Sequence, residues 1–413
     1  MLSFYLLIFY FFLIYFELPM KYPFLKPLQL ETVLFFLIMA LIIPNQKKKP
    51  ANDTIKYFIL FFISIAISLP FAFDKSIALD TIILWIKTSL VFFIYLVCIV
   101  DEERKLNTIL IVYMLCVFLI IAPPFWDAIN GIFPSQGDYG LSRAADLRSN
   151  IYGNANTLGM IAVSTLPFSF NYFRYYRERR KKLLEYLMLG YSLMLSILVI
   201  LTGSRTAFLG LLLFGFLMII RSKNRMKMFA VLMVIFFIFM GTFGSGYRAR
   251  LLSTLNFFGS DKVDRSIRDR KRMLKSGIEL FIKRPITGYG AGCFAQARLA
   301  VFRDTPRPAH SLYALLISEL GMIGVVAFFL LMRSTFRNLR FAKGIMHKLK
   351  MEKELLYYQT LMIFDYLVIR LFVGFMAISL YANYWAMAAA FSVVIYRLCS
   401  DKECNENNGL CAI

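Results

Sequence analysis

The chain has 413 residues, of which 59% are hydrophobic and only 17% are charged, and its formal net charge is +22. Soluble domains carry roughly 25% charged residues, so this composition excludes an ordinary soluble globular protein. The apolar residues fall in runs long enough to cross a bilayer, and short basic stretches separate these runs. The sequence therefore predicts an all-α polytopic membrane protein with about twelve transmembrane helices.

The first predicted span, residues 2–16, is apolar but lacks the basic segment and the small-residue cleavage site of a signal peptide. Residues 1–241 are predicted to hold spans one to nine, residues 242–310 a basic loop domain, residues 311–396 the last three spans and residues 397–413 a tail. The predicted spans lie near residues 2–16, 28–44, 57–73, 79–99, 107–125, 151–173, 184–202, 205–221, 226–241, 311–332, 358–378 and 380–396.

Basic residues indicate how the chain is oriented in the membrane. Lys and Arg are concentrated in alternate short connections, among them residues 45–56, 174–183 and 333–356. Because cytoplasmic loops carry this excess, both termini are predicted to be cytoplasmic, and the loop 242–310 faces the outside. The predicted orientation follows from the short loops alone and does not depend on the basic residues of the loop 242–310. An anionic ligand or anionic lipid headgroups would account for them, whereas nucleic acid is not expected on that side.

Arg205 belongs to a Thr-Gly-Ser-Arg turn at residues 202–205, which opens a predicted span at its outward-facing end. The N-terminus of a helix is its positive end, so an arginine there is disfavoured unless an anion joins the two. An arginine that extends to the membrane interface is the alternative interpretation, and this segment does not distinguish the two.

Arg270 falls in residues 264–283, which are predicted to form an amphipathic helix that ends before Pro285. Helical spacing places Arg270 on one face with Leu274, Gly277 and Phe281, beside Ile278. That face is predicted to point toward the membrane. A solvated charge in a basic amphipathic segment is the alternative interpretation.

His310 opens the tenth predicted span, again at an outward-facing helix N-terminus. This setting lowers the pKa of an imidazole, which suits a neutral general base, although for a lone histidine the pattern by itself favours an interfacial residue without chemistry. The nearby glycines at 288, 290 and 292 lack the lysine of a nucleotide-binding phosphate loop, and no metal-binding motif appears. Neither a cofactor nor a metal is predicted.

Three charged residues, Lys87, Glu319 and Arg370, are predicted to lie inside the membrane. Such charges usually mark pathways or functional sites. Here they could form a structural ion-pair network or line a transport route.

Four short motifs follow one another along the chain, at residues 148–159, 201–207, 270–292 and 310–324. In this order they resemble the motifs of the O-antigen ligase and O-antigen polymerase superfamily of bacterial membrane glycosyltransferases. Three positions depart from the family pattern. Ala155 replaces the proline of an Asn-Pro-Asn segment, Leu274 lies near the place of a usual aromatic residue, and Ser311 replaces the more common asparagine.

The resemblance implies a GT-C-like helical enzyme in the bacterial inner membrane, with one large helical periplasmic loop and a periplasmic active site. It would transfer an O-antigen glycan from undecaprenyl diphosphate to the lipid A core oligosaccharide, without metal and with inversion. By the same resemblance His310 is the general base, and Arg205 and Arg270 are catalytic residues that bind the diphosphate. Asn154, Asn156 and Gly290 complete the predicted substrate-binding residues.

Two other functions remain open at the level of the sequence. A polymerase of the same superfamily would pass the glycan to a lipid-linked repeat unit in place of the lipid A core. A flippase or other transporter would use the intramembrane charges, but transporters usually show two similar halves with paired broken helices, and the sequence shows no such halves. A purely structural scaffold explains none of the three outward-facing sites.

Overall fold

The structure is a computed structural model that describes residues 2–16, 23–28, 30–42, 52–133, 135–136, 142–145, 154–230, 233, 265–303, 308–377 and 380–406. The chain divides into two compact units. The first unit consists of Met1–Val112, Asp269–Leu367 and Gly374–Ile413, and the second consists of Tyr113–Arg268 and Val368–Val373.

The regular elements are almost entirely helical, and their bounds follow in chain order. The N-terminal part contains α1 (Leu2–Tyr15), a 3-10 turn (Pro23–Leu28), α2 (Leu30–Ile42), α3 (Asp53–Ile67), α4 (Lys75–Trp85), a π-helical turn (Ile86–Leu90), α5 (Val91–Ile99) and α6 (Glu103–Ile129). The central part contains the two-residue strands β1 (Ser135–Gln136) and β2 (Ser142–Arg143), then α7 (Ala155–Glu178), α8 (Lys182–Leu201) and α9 (Arg205–Arg221). The C-terminal part contains α10 (Arg265–Lys283), α11 (Phe294–Phe302), α12 (Leu312–Lys348), α13 (Leu355–Val373), a 3-10 turn (Gly374–Met376) and α14 (Tyr384–Glu406).

Five of the described helices are long and apolar enough to cross a membrane, namely Lys75–Ile99, Glu103–Ile129, Lys182–Leu201, Leu312–Lys348 and Leu355–Met376. Two more apolar helices, Leu2–Tyr15 and Thr32–Leu41, are shorter. The prediction of a helical, multi-pass membrane protein is confirmed, whereas the count of about twelve spans stays a prediction. The predicted span 226–241 lies mostly outside the described residues.

Helix α12 is the centre of the first unit and packs against α3 and α14. Phe328 of α12 lies between Phe61 and Trp385, with ring centroids 5.5 Å and 5.3 Å apart. Closer to its C-terminus, the Asn338 side-chain amide donates hydrogen bonds to Asn52 Oδ1 at 3.1 Å and to Thr54 Oγ1 at 2.9 Å. The aromatic contacts and this polar junction fix α12 against its neighbours.

The second unit is built on the antiparallel pair α7 and α8, with α9 packed against α7. Its interior is also polar in places, because the Ser192 hydroxyl donates to Ser169 Oγ at 2.9 Å and Tyr113 and Thr165 share a hydrogen bond of 3.1 Å. Apolar packing alone does not set helix positions inside a membrane, so such bonds contribute to the alignment of the helices.

Candidate functional site

In the second unit, the turn between α8 and α9 places Arg205 at the start of a helix. Ser204 is the N-cap of α9, and its hydroxyl accepts a hydrogen bond from the Ala207 amide at 3.4 Å. A serine at this position satisfies one of the free amides at the start of the helix. Arg205 is the first residue of α9 and is only 7% exposed, so its charged side chain is buried at the positive end of a helix.

The start of α7 packs directly on this turn through Gly159. A Cβ atom at Gly159 would lie 2.7 Å from Thr202 Oγ1 and 2.9 Å from Ala207 Cβ, which are distances that no side chain can occupy. The structure therefore brings together two segments that the sequence singled out separately, residues 154–159 and residues 202–207.

Arg143 joins the same two segments, and sequence reasoning missed it. Its Nε donates to the Thr202 carbonyl oxygen at 2.8 Å, and its Nη2 donates to Asn156 Oδ1 at 2.8 Å. The side chain is buried, and the neighbouring Ala144 amide donates to the Leu201 carbonyl at 3.0 Å. The flat guanidinium thus bridges the α8–α9 turn and the start of α7.

Asn154 and Asn156 both make bonds within the protein. Asn154 is the N-cap of α7, and its side chain accepts a hydrogen bond from the Asn156 amide at 2.8 Å. Asn156 in turn accepts from Arg143. These contacts explain why asparagine is suited to both positions, and the predicted role of the two residues in substrate binding stays a prediction.

In the first unit, α10 covers Arg265–Lys283, as the sequence predicts. Arg270 is partly buried, and its Nη1 donates to the Met376 sulfur at 3.2 Å. Of the residues predicted to share a membrane-directed face with Arg270, Leu274 is 41% exposed and Gly277 is buried, and the direction of this face stays a prediction.

The face of α10 that packs inside the protein shares only Gly277 with the face predicted to point toward the membrane. It consists of Met273, Ser276, Gly277 and Leu280, all of which are buried. Close contact with α12 sets this face, since a Cβ at Gly277 would lie 2.9 Å from Ala314 Cβ.

His310 lies just before α12, with a partly exposed side chain and a left-handed backbone at φ 51°. The helix begins at Leu312, and Ser311 is its N-cap, so His310 lies outside the helix that it was expected to open. A non-glycine residue in this backbone region costs on the order of 1 kcal/mol and is a common feature of functional sites.

The pKa of His310 is lowered from 6.5, first by partial burial and second by the positive charge of Arg270, while Asp269 acts in the opposite direction. The predicted lowering is confirmed, and the causes are burial and Arg270. Arg270 and His310 are thus close enough to interact electrostatically. Their neighbourhood combines a guanidinium group with an imidazole that favours its neutral form.

The glycine-containing loop after α10 fits into a break in α12. Gly288 and Gly321 have φ values of 67° and 60°, a region that favours glycine. A Cβ at Gly288 would lie 2.5 Å from the Glu319 carbonyl carbon, and one at Gly321 would overlap the Ile286 carbonyl oxygen. The Met322 amide donates to the Pro285 carbonyl at 2.8 Å, so the loop satisfies backbone groups at the break.

Glu319 is fully buried at this break and holds the loop with its carboxylate. Oε1 accepts from the Phe294 amide at 2.9 Å, and Oε2 accepts from the Gly292 amide at 3.0 Å and from the Tyr381 hydroxyl at 2.7 Å. We call the loop 288–294, the helix break and the Glu319 carboxylate the glycine clamp. It joins the chain segment that follows Arg270 to the helix that follows His310.

Gly290 packs against Ala72, where any Cβ would overlap the Ala72 side chain. The Phe73 amide also donates to the Tyr289 carbonyl at 2.8 Å. Close packing is therefore sufficient to explain this glycine, and its predicted contact with substrate stays a prediction.

The three charges predicted inside the membrane lie in different settings. Glu319 belongs to the glycine clamp, Lys87 lies in the π-helical turn before α5, and Arg370 is buried in the second unit. Glu319 therefore bonds to backbone amides and a tyrosine, and its described hydrogen bonds are not those of an ion-pair network.

The helices that are long and apolar enough to cross a bilayer indicate a multi-pass membrane protein. Residues 190–329 match the family model described as O-antigen ligase. This segment, which contains Arg205, Arg270, His310 and the glycine clamp, is similar to the O-antigen ligase family, and the match supports the predicted superfamily. The similarity is to a family of membrane glycosyltransferase-like enzymes. No curated protein sequence matches the chain.

Proposed function

We propose that the protein transfers a glycan from undecaprenyl diphosphate to the lipid A core oligosaccharide at the periplasmic face of the inner membrane. The family match supports an activity of the O-antigen ligase or polymerase type. The observation that carries the proposal within that type is the neighbourhood of Arg270 and His310. Arg270 contacts Met376 in the turn Gly374–Met376, and Gly374 packs against Leu312 at the start of the helix that follows His310.

In the proposed reaction, an acceptor sugar hydroxyl gives its proton to the His310 imidazole, and its oxygen attacks the anomeric carbon of the donor. The bond between that carbon and the diphosphate oxygen breaks with inversion, and the undecaprenyl diphosphate leaves with the bonding electrons. Charge develops on the leaving phosphate, where the Arg270 guanidinium stabilises it by charge-assisted hydrogen bonds.

Arg205 is proposed to bind the diphosphate as well. Its side chain lies at the start of α9, where the helix end and the guanidinium both favour an anion. Arg143 braces this turn from within the second unit, so we assign it the part of a positioning residue. The proposed reaction uses these side chains without a metal or cofactor.

A transfer assay with the full-length protein in detergent tests the proposal. Undecaprenyl-diphosphate-linked glycan and lipid A core are supplied with a chelator, and products are separated by gel and mass spectrometry. We expect glycan on the core with the wild-type protein. The Arg270→Ala variant should lose at least about tenfold in rate, because removal of a transition-state charge partner typically costs 10²–10³ in kcat.

The matched control is Arg268→Ala, which removes an exposed arginine two residues away on the same helix. It should keep near wild-type transfer. Growth of the lipid-linked glycan with no modified core would replace the ligase proposal with a polymerase. Equal losses of transfer rate in Arg270→Ala and Arg268→Ala would contradict a specific role for Arg270.

A further inference from the structure

Helix α10 has a second apolar surface that does not contribute to its packing on α12. Leu274, Ile278 and Ile282 are spaced four residues apart and are 41%, 45% and 69% exposed. Ile286, which follows the helix, continues the row and is 66% exposed. We call these four residues the apolar stripe.

The packing of α10 defines its depth relative to a membrane span. Gly277 touches Ala314, which lies in the first turn of the span Leu312–Lys348. The middle of α10 is therefore level with the end of a membrane-crossing helix, which is where headgroups and the first acyl carbons lie.

Basic residues border the apolar stripe. Lys271, Lys275 and Lys283 are all exposed, and the Lys275 side chain is 79% accessible even though its Nζ is 3.8 Å from Glu279. An apolar stripe flanked by lysines is typical of helices that lie in the interface of an anionic bilayer.

We propose that α10 is an interfacial membrane anchor, whose apolar stripe inserts among the lipids and whose lysines bind anionic phospholipid headgroups. The anchor holds α10, the helix that carries Arg270, at the membrane surface. This membrane contact is independent of the proposed transfer reaction.

The test uses the full-length protein with the photo-crosslinking residue p-benzoylphenylalanine at Ile282. The protein is reconstituted into vesicles of phosphatidylcholine and phosphatidylglycerol at a molar ratio of about 3:1, which supplies an anionic surface. After irradiation, mass spectrometry identifies the attached molecule. We expect phospholipid adducts in which phosphatidylglycerol exceeds its bulk fraction by about twofold or more, as headgroup attraction requires.

Two comparisons make the result specific. The same probe at Phe329, which is 64% exposed on the span α12, should give adducts near the bulk lipid ratio. Combining Lys271→Gln, Lys275→Gln and Lys283→Gln should return the Ile282 adducts to the bulk ratio, while the protein keeps its elution volume on size exclusion. Crosslinks from Ile282 to residues 231–264 or to a second copy, or lipid adducts without phosphatidylglycerol enrichment, would overturn the proposal.

Discussion

Glu319 and Phe294 are joined by a hydrogen bond of 2.9 Å, from the first amide of α11 to a carboxylate oxygen near the start of α12. Gly292 donates to the same carboxylate at 3.0 Å. The buried carboxyl group thus lies at the N-terminal end of α11 and accepts two backbone hydrogen bonds, which fix its position. The loop that follows Arg270 is fixed to α12 by this arrangement.

Replacing Glu319 with glutamine should destabilise the protein strongly. An amide has one acceptor oxygen and directs its NH₂ group at a backbone N–H, so at least one buried donor loses its partner, at a cost of about 1–3 kcal/mol. Tyr381→Phe removes one hydrogen bond to the carboxylate and should cost less. Unfolding by SDS in mixed micelles measures both free energies. A Glu319→Gln variant as stable as Tyr381→Phe would contradict the proposed clamp.

The glycines of the clamp should resist even the smallest substitution. Gly288→Ala and Gly321→Ala each add a Cβ where backbone atoms already lie, in a backbone region that alanine avoids. We expect each to lower the free energy of unfolding by more than about 1–2 kcal/mol.

Gly344→Ala is the matched control for these glycines, because it lies in the same helix, α12, with no atom within 4 Å of a new Cβ. Alanine favours helix by roughly 0.5–1 kcal/mol over glycine, so this variant should be neutral or slightly more stable. If Gly344→Ala also lowered the free energy of unfolding, the losses at Gly288 and Gly321 could not be attributed to the glycine clamp.

Arg143→Lys should separate the α8–α9 turn from the start of α7. A lysine has a single ammonium group and cannot reproduce the forked bonds to Thr202 and Asn156. A loss of about 1–3 kcal/mol in unfolding free energy is expected, because at least one buried acceptor is left without its donor.

A positioning role for Arg143 predicts a further effect on catalysis. If it braces the turn that carries Arg205, transfer by Arg143→Lys should show a lower kcat at saturating acceptor. The Asn156→Ala variant should couple to it in a double-mutant cycle by about 0.5–3 kcal/mol. Strict additivity of the two changes would argue against the bridge.

Arg270 should set the protonation of His310. The nearby guanidinium disfavours the imidazolium, so Arg270→Ala should raise the pKa of His310 toward 6.5. The chain has two histidines, so NMR of histidine-labelled protein carrying His347→Gln reports His310 alone. In the wild type, transfer should decline only as the pH falls through a value below 6.5. An unchanged His310 titration in Arg270→Ala would contradict this interaction.

Local patterns were sufficient to predict several parts of the site. The period of apolar residues and Pro285 predicted α10 within one residue of its start, since amphipathicity and a terminating proline act over a few turns. The start of a helix at Arg205 could also be predicted, because serine is a common N-cap and Ser204 directly precedes the apolar run. The lowered pKa of His310 was predicted in direction.

Contacts between distant parts of the chain were not predictable. Arg143 belongs to no local motif, and its partner Thr202 lies 59 residues away. The packing face of α10 is set by the contact of Gly277 with Ala314, which periodicity on one helix cannot show. Glu319 was recognised as an unusual membrane charge, but its bonds to the amides of Gly292 and Phe294 depend on the folded loop.

The polar junction at Asn338 has a consequence for how α12 can move. Its amide bonds to Asn52 and Thr54 prevent α12 from sliding along α3. Gly321 and the glycine clamp lie about 25 Å away along the same helix, at 1.5 Å per residue. Helix α12 is therefore held by polar contacts at two points, and the non-helical residue Gly321 is the place where a shift of its start relative to Asn338 would be absorbed.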